Sequence, residues 1–472
     1  MEFLTLHHPI MKHGALLAGI AALGLVLAKP ASAQFSTEND AQESMGDATL
    51  AMCPTLGARR DNPDIQQSDS EVNLNQFCDA LAGGQFADTN QVLQRVAGEE
   101  VLGVQDQITE VRNIPLGHIM SRMTAIRSGQ ASGAGISVAD LDIRVGDEVL
   151  VGAARDDRLN EDDGALLSSW DWQKLGVYLS GSVRFGNKDE TRQAGGFSFD
   201  TSGFTAGLDY RLTDNLLVGG AVGYTRYDVD FDVTSESLSG QDLSSDGVTL
   251  AGYAAYFPTP KVFIDGALTL GWLNYQTRRR IRAVGSPDVD DLDAITKGKF
   301  DSFYYGLAAR AGYETRLIGR VQMTPTFQLE YVRAKIDGFE EESSNPRADA
   351  ISLAFGNQRA ESLRSKLGVE LRRGFQTPIG PTILAGRAVY NHELLGDDAG
   401  VNVRYKADPT RLSEFELRTE GRDRHYGELG TSLRATRLPF GLEAFVDYAT
   451  VVGLRDFEIH NINAGVRKSF LP

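Results

Sequence analysis

Residues 208–232 read LDYRLTDNLLVGGAVGYTRYDVDFD, and this stretch decides the fold. Up to Leu212 it continues an alternation in which Phe204, Ala206, Leu208, Tyr210 and Leu212 oppose Thr205, Gly207, Asp209 and Arg211. A period of two gives a strand one apolar and one polar face. Asp214-Asn215 then supplies a tight turn, and residues 216–232 return as a second strand. Each run is ten or more residues long, which is what a tilted strand needs to cross a bilayer. Strands of soluble proteins average five or six.

Outward from this hairpin the same period holds from about Trp170 to the C-terminus. Leu175, Val177, Leu179, Val183 and Phe185 oppose Gly176, Tyr178, Ser180, Ser182 and Arg184. Leu363, Leu367, Val369 and Leu371 oppose Arg364, Lys366, Gly368, Glu370 and Arg372. Twelve strands are expected, at 173–186, 202–212, 216–232, 247–257, 261–283, 299–316, 320–335, 362–375, 382–394, 424–437, 440–452 and 457–470. Short connections follow the even-numbered strands, as at Asp214-Asn215, Ile318-Gly319 and Leu438-Pro439, and long polar ones lie between. Alternation alone also fits a soluble sheet with one wet face. Long strands joined by short turns on one side and long loops on the other fit a transmembrane β-barrel instead. Only closure pairs every backbone group of a strand in hydrocarbon.

Twelve strands enclose a lumen wide enough for one helix or an extended chain. Arg310, Arg364, Lys366, Glu370, Arg372 and Arg434 are expected to line it, hydrated or paired, and such a lumen would also accept an acidic segment. Trp170, Trp172, Tyr256, Phe257, Tyr313, Tyr448 and Phe470 are expected at the interfacial girdles.

The chain has 472 residues, 42% hydrophobic and 24% charged, a composition that folds rather than stays disordered. Its net charge of -17 is concentrated in residues 34–165, with 23 Asp and Glu against 9 Arg and no Lys. That acidity repels phosphate backbones, so no nucleic acid is expected as a partner. Lys12 and His13 precede an apolar run from Ala15 to Ala28, and Ala31-Ser32-Ala33 follows. The pattern is that of an export signal cleaved after Ala33, occupying 1–33. In an exported chain Cys53 and Cys78, its two cysteines, are expected to pair. There is no CxxC, and beyond residue 33 the histidines are His118, His392, His425 and His460, so neither metal nor cofactor is expected.

From Asn73 to about Ser128 the period is helical, with Leu93, Val96, Val104, Ile108 and Val111 continued by Leu116, Ile119, Met123 and Ile126. Pro115 is expected to divide this stretch into two helices, and Gly129 to stop it. The organisation that follows is an acidic helical region over 34–130, a connector over 131–170 with one strand at Glu148 to Val151, and a barrel over 171–472.

The barrel region resembles the translocator β-domain of the autotransporters, the type V secretion proteins of Gram-negative bacteria. The matching pieces are residues 208–232, RRRI at 278–281, LEYVRAKIDGFEE at 329–341, ESLRSKLGVEL at 361–371, NHEL at 391–394 and the run 444–470. VLQRVAGEEVLGVQDQITEV at 92–111, with SRMTAIRSG at 121–129, resembles the helical stretch that precedes many such barrels. The resemblance implies a monomer in the outer-membrane lipid bilayer, folded by the barrel assembly machinery with periplasmic chaperones. It also implies a C-terminal assembly signal, carried here by Val466 and Phe470 with Leu471 and Pro472 following. A passenger of about 130 residues without repeats departs from the long repetitive passengers of the family.

Three functions follow as expectations. The first is a translocator presenting a short helical passenger at the cell surface. The second is an adhesive or structural surface protein anchored by the barrel. The third is an outer-membrane hydrolase, for which His425 beside Asp423, with Ser432 or Ser413, are the candidates. No GxSxG is present, and HELLG at His392 lacks the second His of a zinc protease, so no catalytic residue is expected.

Overall fold

The computed structural model describes residues 40–127 apart from 99, 100 and 102, then 143–145 and 148–151, then 174–469 apart from 190, 192–195, 232–240, 285–290, 379, 396–399, 419–422 and 440–441. The export signal, its cleavage point at Ala33, most of the connector, Trp170, Trp172 and Phe470 lie outside the described residues.

Twelve antiparallel strands form the barrel: β1 (Leu175–Lys188), β2 (Phe197–Thr213), β3 (Leu216–Phe231), β4 (Asp242–Thr259), β5 (Val262–Ala283) and β6 (Leu292–Tyr313), followed by β7 (Val321–Ile336), β8 (Gln358–Thr377), β9 (Gly380–Leu395), β10 (His425–Leu438), β11 (Leu442–Val452) and β12 (Phe457–Ser469). Each pairs with its neighbours in sequence. The seam closes where β12 pairs with β1, from Phe457↔Lys188 to Ser469↔Gly176. No barrel strand keeps a free edge, as a chain in hydrocarbon requires. Leu208 is 51% exposed and the adjacent Asp209 is 0% exposed, so the one-residue pleat puts apolar side chains outside and polar ones inside. Phe204, Val222, Leu250, Leu268, Leu307 and Leu433 continue the exposed apolar belt.

Several strands run further than the alternation foretold. β2 starts at Phe197 and not 202, and β6 at Leu292 and not 299. These extensions rise beyond the apolar belt, so their outward residues are polar while inward ones such as Phe199 and Leu292 stay buried. The connection from β11 to β12, Gly453 to Asp456, is short where a long loop was expected. Phe257 faces the lumen and not the girdle, because the pleat turns its neighbour Tyr256 outward instead. Tyr313 and Tyr448 face outward.

Among the described residues four helices precede the barrel: α1 (Asp40–Arg60), α2 (Asp69–Ala82), α3 (Thr89–Val96) and α4 (Gly103–Arg127). The helical pattern thus begins well before Asn73. In α1, Met45, Met52 and Leu56 recur at helical spacing and are fully buried. Ser68 caps α2 by accepting from the Glu71 amide at 3.2 Å. Cys53 in α1 and Cys78 in α2 are bonded to each other.

The first three helices sit on the end of the barrel that carries the long loops. Met45, Leu74 and Leu93 share one apolar cluster with the strand ends Phe199, Tyr275 and Phe300 and the loop residues Leu353 and Val403. The loops have structure of their own. Phe339–Glu340, Leu353–Phe355, Gly400–Tyr405 and Phe415–Arg418 make a four-stranded antiparallel sheet, and α5 (Pro346–Ala350) lies against α2. Tyr275, Phe300, Phe339 and Phe355 stack successively at 4.7, 4.3 and 4.7 Å between centroids. Buried Arg279 ties these helices to the barrel and its loops by donating to the Arg95 carbonyl at the end of α3 (2.7 Å) and to Glu341.

Candidate functional site

One helix fills part of the lumen. α4 contacts β1 to β5 and β8 and runs from the long-loop end toward the short-turn end. The descent is read from its partners: Pro115 lies against Gly223, His118 against Thr205, Arg122 against Asp209, and Arg127 against Phe263 near the start of β5. Two glycines permit the approach. A Cβ on Gly203 would lie 3.1 Å from Ile114, and one on Gly223 would lie 3.2 Å from Pro115. The division expected at Pro115 does not occur, since α4 is one helix across it. A proline forfeits one ladder bond and crowds the preceding turn, and here the packing of the helix on the lumen wall holds it regardless.

The helix leans on one wall. Leu116, Ile119, Met123 and Ile126 pack on Tyr178, Leu217, Tyr253 and Phe263 of β1 to β5. Within that apolar contact Arg122 makes a two-pronged bond to Asp209, Nε to Oδ2 at 2.7 Å and Nη2 to Oδ1 at 2.9 Å, with both side chains fully buried. Tyr253 also donates to Asp209 at 3.3 Å. His118 Nδ1 meets Thr205 Oγ1 at 2.8 Å, and the Arg127 guanidinium stands 3.5 Å over the Phe263 ring. The opposite wall is left to a polar channel of about 250 Å³ beside the helix, bordered by Ser121, Glu330, Lys366, Glu370, Arg434 and Asp447.

Of the charged residues named from the sequence, Arg364, Arg372 and Arg434 are buried within the barrel, and Arg310, Lys366 and Glu370 are half-buried. Lys366 bonds Glu330 at 3.0 Å, and Arg364 bonds Glu393 at 3.3 Å. Arg372 bonds Glu314 at 2.8 Å and approaches Glu370 at 3.4 Å. Arg434 lies 6.0 Å from the Phe445 ring. Arg310 bonds the helix, reaching the Met120 carbonyl and Thr124 at 3.3 Å while pairing with Asp265. Most of the acidic connector expected to thread the basic lumen lies outside the described residues. Residues 113–127 carry Arg122 and Arg127 and no acid, and the wall charges pair mainly with one another.

Arg122 and Asp209 were not singled out from the sequence. The available signals were an arginine inside the Ile119, Met123, Ile126 stripe and an acid at an inward position of the opening hairpin. Each reads as ordinary until the other is known. Val466 is exposed on the outer face of β12. The hydrolase candidates do not converge. His425 lies on the outer wall against Tyr390 (2.6 Å), Ser432 borders the lumen channel, and Ser413 donates to Asp408 in a loop at 2.8 Å. Asp423 is taken up by Arg455 at 3.0 Å.

A closed twelve-stranded barrel with a helix in its lumen, long loops at one end and an apolar outer belt defines an outer-membrane translocator domain. A family model described as the autotransporter beta-domain matches residues 131–449, and the chain belongs to that family. It is 28% identical over 47% of its length to an uncharacterised Pseudomonas putida protein of the trpE-trpG intergenic region, spanning 35% of that protein. It is 22% identical over 44% of its length to outer membrane protein B of Rickettsia typhi, spanning 12% of it. Among solved structures, the translocator domain of the autotransporter NalP from Neisseria meningitidis aligns with 63% of this chain and 89% of its own, at 15% identity and a TM-score of 0.48. The protein is thus an autotransporter barrel of the outer membrane, and the chain spans about a third or less of the length of these two relatives.

Proposed function

We propose that this barrel delivers its own N-terminal region to the cell surface and keeps it there as a lid. The observation that carries the reading is the course of α4. The chain passes from α1–α3 at the long-loop end, down the lumen, toward the short-turn end where β1 begins. With short turns on the periplasmic side, residues 40–98 lie outside the cell. The helices share a buried core with the loops, so the delivered segment stays attached. The Cys53–Cys78 bond fastens that segment, and Val466 with Phe470 forms the signal read by the barrel assembly machinery. The barrel works as a monomer brought to the membrane by periplasmic chaperones, and its lumen charges serve packing and hydration with no enzymatic step. An adhesive role for the exposed lid is the second reading, favoured by the share of the lid that faces outward.

The test is an epitope inserted between Asn62 and Asp64, in the exposed α1–α2 connection. Antibody should stain intact cells. Staining that needs a permeabilised outer membrane would put the lid in the periplasm and end this reading.

A further inference from the structure

The outer rim of the barrel at its long-loop end is divided by charge. Above the apolar belt, β2 to β4 turn Asp200, Asp228, Asp230 and Asp246 outward, with Arg226 tied to Asp228. On β5 and β6 the same rim carries Arg278, Arg280, Arg282, Lys297 and Lys299, all exposed. Register brings them together, since Arg278 pairs across from Lys297 and Gln276 from Lys299. Some of this charge is already engaged, since Arg280 bonds Asp293 at 2.5 Å, while Arg278 and Lys297 each stand across from an acid, Asp242 and Glu342. Lys297 and Lys299 make no ion pair among the described residues, although Asp301 and Glu342 stand near them.

Two features make this a place and not merely a charge. Below the lysines, Trp272 and Phe303 face outward with ring centroids 5.5 Å apart, marking the upper edge of the lipid-facing belt. Above them the loop after β7 returns to pair with β6, Ser343 against Thr296. It leaves an open recess of about 1340 Å³ bordered by Arg278, Lys297 and Lys299, by the carboxylates Asp242, Glu340 and Glu342, and by Ser344 and Asn345. From the membrane upward the order is therefore apolar belt, aromatic pair, Asn274 beside Asp301, the two lysines, then a polar ledge.

We propose that this recess holds the phosphorylated sugar headgroup of an outer-leaflet glycolipid. Acyl chains lie along the belt, a phosphate meets Lys297 and Lys299, and sugar hydroxyls meet the ledge. A simple phospholipid has nothing to fill the upper part. The acidic rim over β2 to β4 repels the same headgroup, so one side of the barrel is chosen. The proposal rests on the long-loop end being outside.

Full-length protein in detergent is incubated with a bisphosphorylated acylated diglucosamine, its dephosphorylated form, phosphatidylglycerol or inorganic phosphate, and retained lipid is counted by native mass spectrometry. Retention of the phosphorylated glycolipid is expected. Lys297→Gln with Lys299→Gln should weaken it by about tenfold or more, near a surface where each cation counts. Asp228→Asn with Asp230→Asn should leave it unchanged. Equal retention by the lysine variant, by the dephosphorylated lipid or by phosphatidylglycerol overturns the proposal. So does displacement by millimolar inorganic phosphate alone, which would mean a free-anion site. Gel migration before and after heating checks that each variant is folded. Glycolipid retained by a protein whose inserted epitope lies in the periplasm would sink the surface-lid reading and leave the site standing.

Discussion

Asp209 and Arg122 illustrate how much one buried pair decides. Two charges withdrawn from water are costly, and their two-pronged geometry offsets that cost only while both are present. Arg122→Met strands the Asp209 carboxylate and is expected to cost about 3 kcal/mol. The unheated, fast-migrating gel form should then vanish at a lower temperature. Adding Asp209→Leu should restore most of the loss, and failure to do so would mean that α4 is held by its apolar face alone. Asp408 acts at the same scale in the loop after β9. Burial pushes its carboxyl up, but the hydroxyls and amides of Thr410 and Ser413 outweigh this and hold it below its ordinary value. A lowered carboxyl pKa stabilises above the unfolded value of about 3.9 and loses that contribution as pH falls through the folded value. Protection factors of amides 405–414 should therefore be flat at neutral pH and fall below about pH 4. Asp408→Asn should show the weakened protection already at pH 7, by about 1–3 kcal/mol locally.

Among the elements, the lid is fastened by its disulfide and by a close approach at Gly98 as well as by Arg279 and its core. The Cys53–Cys78 bond closes a separation of 25 residues, worth about 3 kcal/mol in the chain-entropy picture. Gly98 has φ +74°, and a Cβ there would meet Leu353 at 2.8 Å and Phe355 at 2.9 Å. Cys53→Ser with Cys78→Ser, and separately Gly98→Ala, should expose residues 40–98 to protease on intact cells while the barrel stays heat-modifiable. A lid that resists equally in both variants would show that its apolar core suffices. Legibility in the sequence followed the same physics. Strands were readable wherever lipid lies on one face and a polar lumen on the other, as at Leu208 and Asp209. They were misread beyond the belt, as at 197–201 and 292–298, where water replaces lipid and the outward residues lose their apolar signature. α1 lies inside the region read as helical, 34–130, but before the stretch from Asn73 where the period was read, although Met45, Met52 and Leu56 show it, and Pro115 misled because packing on the lumen wall overrides local preference. The inward charges were nameable from the period of two, but their partners were not. Register between distant strands decides who meets whom.

On the scale of the whole molecule, the barrel is a ring whose ends meet only where the first and last strands pair, and α4 runs through it as an axle. At one end the axle widens into three helices, two of them bolted by sulfur. An α-helix with its side chains is about 10–12 Å across, so a bolted pair is roughly twice as wide as the single helix the lumen holds. A stopper of that width does not pass through a closed ring. In a chain that moves its own N-terminus, the two cysteines have to meet after passage, or the ring has to close around an axle already in position. Once both have happened, the lid can leave only if a peptide bond, the disulfide or the β1–β12 seam is broken.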